Sequence, residues 1–371
     1  MRKLLRLTAW ITLALSLTGA VAFAQHYTQT NLVSNEAGVA PVTDPDLINA
    51  WGLSRSSSSP WWVSDEGTGL STLYNGAGTK QSLIVTIPAA VSTNTGTPTG
   101  TIFSGSTTAF LLATAQPAKF LFSTLDGTIV GWNATVGPVT TVKTTDGSSY
   151  TGLTSAFIGT NLYLYAANFT KGRVDVYDSA FNRVNLGGDR FNADWLPRDF
   201  VPFNVQAIGN DIVVTYALRE KGQTKETDGP GLGFVDIFSS DGRFLQHLEH
   251  GNWLNAPWGV ALAPDDFGRF SHDLLIGQFA GGGTTQSSGF IAAYSLASGR
   301  LDGLLEDATG ATLAINGLWA LSPGNASTGN YDAAGAPAAE VYFTAGPNQG
   351  TGGLLGYLTA VSTELIKGND Q

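Results

Sequence analysis

No cysteine occurs among the 371 residues. That excludes disulfides, thiolate nucleophiles, cysteine metal sites and a lipidated cysteine anchor. Histidine is scarce, with His26, His247, His250 and His272 only. Basic residues are few, 19 against 29 acidic ones, for a formal net charge of −10. Nucleic acid and anionic membrane surfaces are therefore poor partners. Several catalytic signatures are missing too: Gly-x-Ser-x-Gly, His-Glu-x-x-His, a phosphate-binding glycine loop and an EF-hand loop. Past the first two dozen residues no apolar stretch approaches the ~20 residues that a membrane span requires. The mature chain is therefore expected to be soluble and monomeric and, ending in Asn369-Asp370-Gln371 with no apolar segment, without a membrane anchor.

What is present begins with a leader. Arg2, Lys3 and Arg6 precede an apolar stretch over 7–21, and Ala22-Phe23-Ala24 supplies the small-residue pattern that signal peptidase requires. Residues 1–24 are expected to be a signal peptide cut before Gln25, which implies a secreted or periplasmic protein. Removing three of the 19 basic residues leaves 16 against 29 acidic, a net charge of −13. Residues 25–371 are expected to form one domain, because a closed array of repeats absorbs a length that otherwise suggests two.

The repeat is clearest over residues 255–303. Asn255 and Pro257 lead into an apolar run at 259–263, and further runs follow at 273–279, 289–296 and 300–306. Short runs of β-branched, aromatic or small apolar residues, bounded by Gly, Pro, Asp or Ser, predict antiparallel strands joined by turns. Four make one propeller blade. The start Asn255-Ala256-Pro257-Trp258-Gly259 is echoed at Asn49-Ala50-Trp51-Gly52 and Asn316-Gly317-Leu318-Trp319, and more loosely at Pro202-Phe203-Asn204 and Tyr150-Thr151-Gly152. A faint sixth start is placed around 106–112. The interval, about 50 residues, suits propeller blades.

The prediction is an all-β, six-bladed β-propeller of four-stranded antiparallel blades. The sixth unit lacks a fourth strand, and the amino-terminal strand at 27–33 is expected to supply it and close the ring. Residues 89–105, rich in Thr, Ser and Gly, read as a loop insertion, and the charged segment 219–231 as an insertion within a hairpin.

In such a ring, residues just before the first strands converge at one mouth of the central channel. Here they are Asn49, Asn204, Asn255 and Asn316, with Trp51, Phe203, Trp258 and Trp319. Converging amide oxygens could hold Ca²⁺, which takes six to eight oxygen ligands, or hydrogen-bond a polar ligand. The alternative is that each Asn caps a turn and each aromatic fills space between blades. The calcium reading gains if an acid from a loop, such as Asp44, Asp46, Asp199 or Asp307, reaches Asn49, Asn255 or Asn316. His247 and His250 are expected to face opposite sides of an outer strand, which argues against a metal there. Asp65-Glu66, Asp126-Gly127 and Asp265-Asp266 read as turns.

These stretches, together with Gly231-Leu232-Gly233-Phe234-Val235-Asp236, Asp126-Gly127-Thr128-Ile129-Val130-Gly131-Trp132 and Tyr342-Phe343-Thr344-Ala345-Gly346, resemble a family of secreted bacterial conserved hypothetical proteins related to NHL-type six-bladed propellers. Some of its members carry PEP-CTERM sorting signals. The resemblance implies the fold and an exported location and brings no activity with it. The leading functional expectation is a non-catalytic binding or interaction module that takes a polar small molecule, glycan or protein at the Asn and Trp mouth. The alternative is a calcium-dependent hydrolase or lyase of the lactonase-like propeller type, in which a channel metal acts as a Lewis acid or activates water.

Overall fold

The computed structural model describes residues 25–364 apart from 92–93, 114, 280–288 and 325–339. The expected leader at 1–24 lies outside the described residues. Two strands open the chain, β1 (Tyr27–Ser34) and β2 (Val42–Thr43). Blade one follows with β3 (Ala50–Ser54), β4 (Trp61–Asp65), β5 (Leu70–Tyr74) and β6 (Val85–Thr86). Blade two has β7 (Pro98–Phe103), β8 (Phe120–Thr124), β9 (Thr128–Asn133) and β10 (Gly137–Lys143). Blade three has β11 (Tyr150–Ile158), β12 (Asn161–Asn168), β13 (Arg173–Tyr177) and β14 (Arg183–Val184). Blade four is built from β15 (Phe200–Ile208), β16 (Asp211–Leu218), β17 (Gly233–Ser239) and β18 (Phe244–His247). Blade five contains β19 (Pro257–Leu262), β20 (Leu274–Gln278), β21 (Ile291–Tyr294) and β22 (Leu301–Leu304). Blade six contains β23 (Leu318–Pro323), β24 (Val341–Ala345) and β25 (Leu354–Ala360), and recruits β1 and β2.

The six inner strands, β3, β7, β11, β15, β19 and β23, each pack against the next, and β23 returns to β3. A blade is covered on both faces by its neighbours, so its middle strands read as unbroken apolar runs rather than as alternation. All of Val341–Ala345 is buried, for example. The amino-terminal strand closes the ring as expected: β1 runs antiparallel to β25, from Tyr27 opposite Ala360 to Ser34 opposite Leu354. Tyr27 is buried, its ring 4.7 Å from that of Phe267 and its hydroxyl donating to the Phe267 carbonyl at 3.0 Å. Unforeseen in the sequence, β2 adds a fifth strand, parallel to the end of β1.

Blade two corrects the sequence reading. Its inner strand lies within the stretch expected to be a loop insertion, at Pro98–Phe103, and residues 106–112 belong to the connection that follows. Gly100 stands in this inner strand where a Cβ would lie 2.4 Å from the Leu153 nitrogen of the next blade. The charged segment at 219–231 does lie between β16 and β17 of one hairpin.

Asp65, at the end of β4, is fully buried. Its Oδ2 accepts from the Thr72 amide at 2.9 Å and hydroxyl at 2.8 Å, while Oδ1 has no partner among the described residues. Burial pushes this carboxyl well above the usual range.

Two outcomes follow from this architecture. A chain lacking residues 25–34 loses the buried Tyr27, Leu32 and Val33 and should melt roughly 10 °C or more below the parent, or fail to fold. A peptide of that sequence added in trans should restore a cooperative transition, and an unchanged melting temperature for the shortened chain would contradict closure by β1. For Asp65, the unfolded chain ionises at about pH 4 while the folded group stays neutral, so stability drains away as pH rises above that point. The melting temperature of Asp65→Asn should therefore gain on the parent between pH 4 and pH 7; a difference that stays flat would mean that Asp65 ionises as freely in the fold as outside it.

Candidate functional site

Every inner strand carries a β-bulge at the same level. Its register with the second strand of the blade shifts between Ala50 and Leu53, Pro98 and Thr101, Tyr150 and Gly152, Pro202 and Asn204, Pro257 and Gly259, and Leu318 and Leu321. Bulges re-aim side chains. The residues they displace are Trp51, Thr99, Thr151, Phe203, Trp258 and Trp319. The position after each is Gly52, Gly100, Gly152, Asn204, Gly259 or Ala320. A Cβ on Gly52 would lie 2.3 Å from the Thr99 carbonyl oxygen, one on Gly100 2.4 Å from the Leu153 nitrogen, and one on Gly259 2.6 Å from the Trp319 carbonyl oxygen. Neighbouring inner strands thus touch backbone to backbone at this waist.

A bulge frees backbone carbonyls from the ladder, and buried carbonyls need partners. Side chains from other blades supply them: Trp258 Nε1 of blade five donates to Thr151 O of blade three at 2.9 Å, and between adjoining blades Asn204 Nδ2 donates to Trp258 O at 2.7 Å and Thr99 Oγ1 to Tyr150 O at 2.7 Å. The bulged aromatics fill the near mouth, where the inner strands begin. Trp51 stacks on Trp319 at 3.8 Å, and Trp258 meets them edge-on at 6.3 and 5.8 Å. Phe279 covers Trp319 at 4.0 Å, and Phe203 lies 6.0 Å from it. Trp51 is 5% and Trp319 2% exposed. The result is an aromatic plug.

The four expected aromatics come together; the four amides do not converge. Asn49 Oδ1 accepts from Trp319 Nε1 at 2.9 Å and its Nδ2 donates to Glu66 at 2.7 Å. Asn204 is buried against Gly152. Asn255 Oδ1 accepts from the Gly229 amide at 2.8 Å. Asn316 is exposed, in a turn. Of the acids considered, Asp44 and Asp46 hold Lys80 at 2.8 and 2.7 Å, and Asp307 caps its own turn through Thr309. Glu66 is the carboxylate that reaches Asn49; the sequence offered it only as a turn residue. No group of three or more His, Asp or Glu suited to a metal occurs among the described residues. His247 and His250 are engaged separately, by Asp236 at 2.7 Å and the Gly231 carbonyl at 3.0 Å.

The far mouth, where the inner strands end, is open. A cavity of about 540 Å³ lies there, with walls from all six blades. Ser54, Thr101, Thr154, Ser155, Gln206 and Ser322 line it among apolar residues such as Leu53, Ile102, Val260 and Leu321. Ser54 Oγ and Thr101 Oγ1 are buried without a hydrogen-bond partner among the described residues. Arg55 is the charged residue of the described lining; its guanidinium sits 4.5 Å over the Trp61 ring and donates to the Pro323 carbonyl at 3.3 Å. Sequence reasoning missed this end, because Ser and Thr at strand ends read as turn residues.

No family model matches the chain. Two uncharacterized proteins of Acanthamoeba polyphaga mimivirus are each 29% identical to it. One is matched over 335 residues, 88% of this chain and 78% of that protein, and the other over 337 residues, 88% and 84%. These relatives are viral rather than members of the bacterial group, with its sorting signals, that the sequence motifs resemble. Among solved structures, a catalytically inactive variant of virginiamycin B lyase from Staphylococcus aureus with Quinupristin is similar, with a TM-score of 0.51 and 9% identity over 91% of this chain and 100% of that one. At that identity, what the two share is the propeller fold.

Proposed function

We propose that the protein is a binding module that takes a polar, hydroxyl-rich small molecule or the end of a glycan in the far mouth of its channel. The observation that carries this reading is a cavity of about 540 Å³ at that mouth, walled by all six blades, with Ser54, Thr101, Thr154, Ser155, Gln206 and Ser322 in its lining. The volume falls within the range of small-molecule pockets. With the near mouth filled by indoles, a ligand has one way in, and a long polymer could enter only by its terminus. The exported location that residues 1–24 imply belongs to the same proposal.

Calcium-dependent catalysis at the near mouth has one supporting observation, the carboxylate of Glu66 beside Asn49. Against it, the Asn49 and Asn255 oxygens already accept indole and amide protons.

Saturation-transfer NMR with a panel of neutral mono- and disaccharides tests the first reading. Transfer is expected with the parent and should vanish in Ser155→Trp and Ser322→Trp, which place an indole in the cavity; undiminished transfer in both would move the site elsewhere. Thermal unfolding in calcium and in chelator tests the second. The expected transitions agree within about 1 °C, whereas a rise of several degrees in calcium would return the metal to the near mouth.

A further inference from the structure

Basic residues are scarce in this chain, yet Arg173, Arg183 and Arg190 line a single cavity of about 330 Å³ at the rim of blade three. The cavity exists because the outermost strand is short. β13 pairs with β12 along its whole length, but β14 covers it only at Val176 and Tyr177. The chain then turns away through Gly187 and Gly188, both left-handed at φ +74° and +57°. This leaves the edge of β13 from Arg173 to Asp175 lining the cavity.

Charge in this wall is unbalanced. Asp175, 3% exposed, is its one carboxylate among the described residues. Its Oδ1 takes Arg173 Nε at 2.7 Å, and its Oδ2 takes Asn168 Nδ2 at 2.6 Å and the Tyr150 hydroxyl at 3.2 Å. Arg183 stands 3.8 Å from the same Oδ1, beyond hydrogen-bond reach, and its guanidinium makes no hydrogen bond among the described residues. Arg190 lies 3.3 Å from Asp241, which also pairs with Arg243 at 3.3 Å, and Arg173 lies 3.9 Å from Asp146. One buried carboxylate is thus shared by two guanidiniums, and a third stands at the far wall.

We propose that this groove binds a small ligand through a tetrahedral oxyanion, a phosphate or sulfate group. Guanidinium forks match such oxygens two at a time, and the bonds are charge-assisted. Arg183 supplies unspent donors, Arg190 closes the opposite side, and Arg173, fixed by Asp175, is already ordered. The open edge of β13 adds backbone groups that the short β14 leaves unpaired. The site lies on the outer rim, apart from the channel, and does not depend on what the far mouth binds.

The test is calorimetric titration of the purified protein with inorganic phosphate and with sulfate at constant ionic strength. Saturable binding of at least one anion is expected, weakened at least tenfold in Arg183→Gln and in Arg190→Gln and unchanged in Ser155→Trp. Arg183 is 54% exposed, so its replacement should leave folding intact. A second arm separates the two sources: inorganic phosphate gains its second charge at about pH 7, so its affinity should climb between about pH 5.5 and 7.5, while that of sulfate stays level. No saturable binding of either anion by the parent, or equal binding by the parent and Arg183→Gln, would overturn the proposal.

Discussion

The structure rests on a steric constraint at the channel waist. At four of the six bulges the inner strands approach a neighbour more closely than a Cβ allows, and Gly52, Gly100, Gly152 and Gly259 meet that condition; Asn204 and Ala320 stand at the other two. The bulge beside each of them follows, because two residues must fit opposite one where the strand bends inward. The direction of the bulged side chains follows in turn. Where these are large, as at Trp51, Phe203, Trp258 and Trp319, they fill the axis; where they are threonines, they leave the room that the indoles use. The blocked near mouth and the open far mouth are thus two results of one packing requirement.

The polar side of this arrangement is equally constrained. Carbonyls released by the bulges sit in a dry interior, where an unpaired one would cost as much as a lost hydrogen bond. Asn204 and Thr99 reach across seams between adjoining blades to pair them, and Trp258 reaches from blade five to blade three. Blades are therefore joined by directional bonds as well as by apolar contact. This is also why asparagine recurs near the inner strands: Asn49 and Asn204 serve the framework, and their amides are turned toward indoles and carbonyls rather than toward the axis.

Much of this was legible in the sequence. The Trp-Gly pairs at 51–52 and 258–259 mark a bulge and a close approach together, so the repeat and the blade count could be read from them. Blade two escaped because Thr99-Gly100 meets the same steric demand without an aromatic, and a Thr, Ser and Gly-rich strand is locally indistinguishable from a loop. The near-mouth aromatics could be named from their spacing. The destination of the amides could not, since it is decided by Glu66, Gly229 and Trp319, which other turns and another blade bring in. The far mouth was illegible for a related reason: Ser54 and Ser322 are ordinary strand-end residues, and Thr154 an ordinary strand residue, until six strands are set in a circle. Arg173, Arg183 and Arg190 gave no sequence signal, because only a fourth strand that stops after two residues leaves them facing one hollow.

The pairing of β1 with β25 joins segments more than 300 residues apart. Such a contact cannot form while the polypeptide is still being made, so the earliest strand must wait, unpartnered, for the latest. Until then the growing molecule is an open arc with a bare sheet margin at each limit, the kind of surface that invites association with other copies. Closure of the circle therefore has to follow synthesis of the last blade, and the two margins stay bare until it comes.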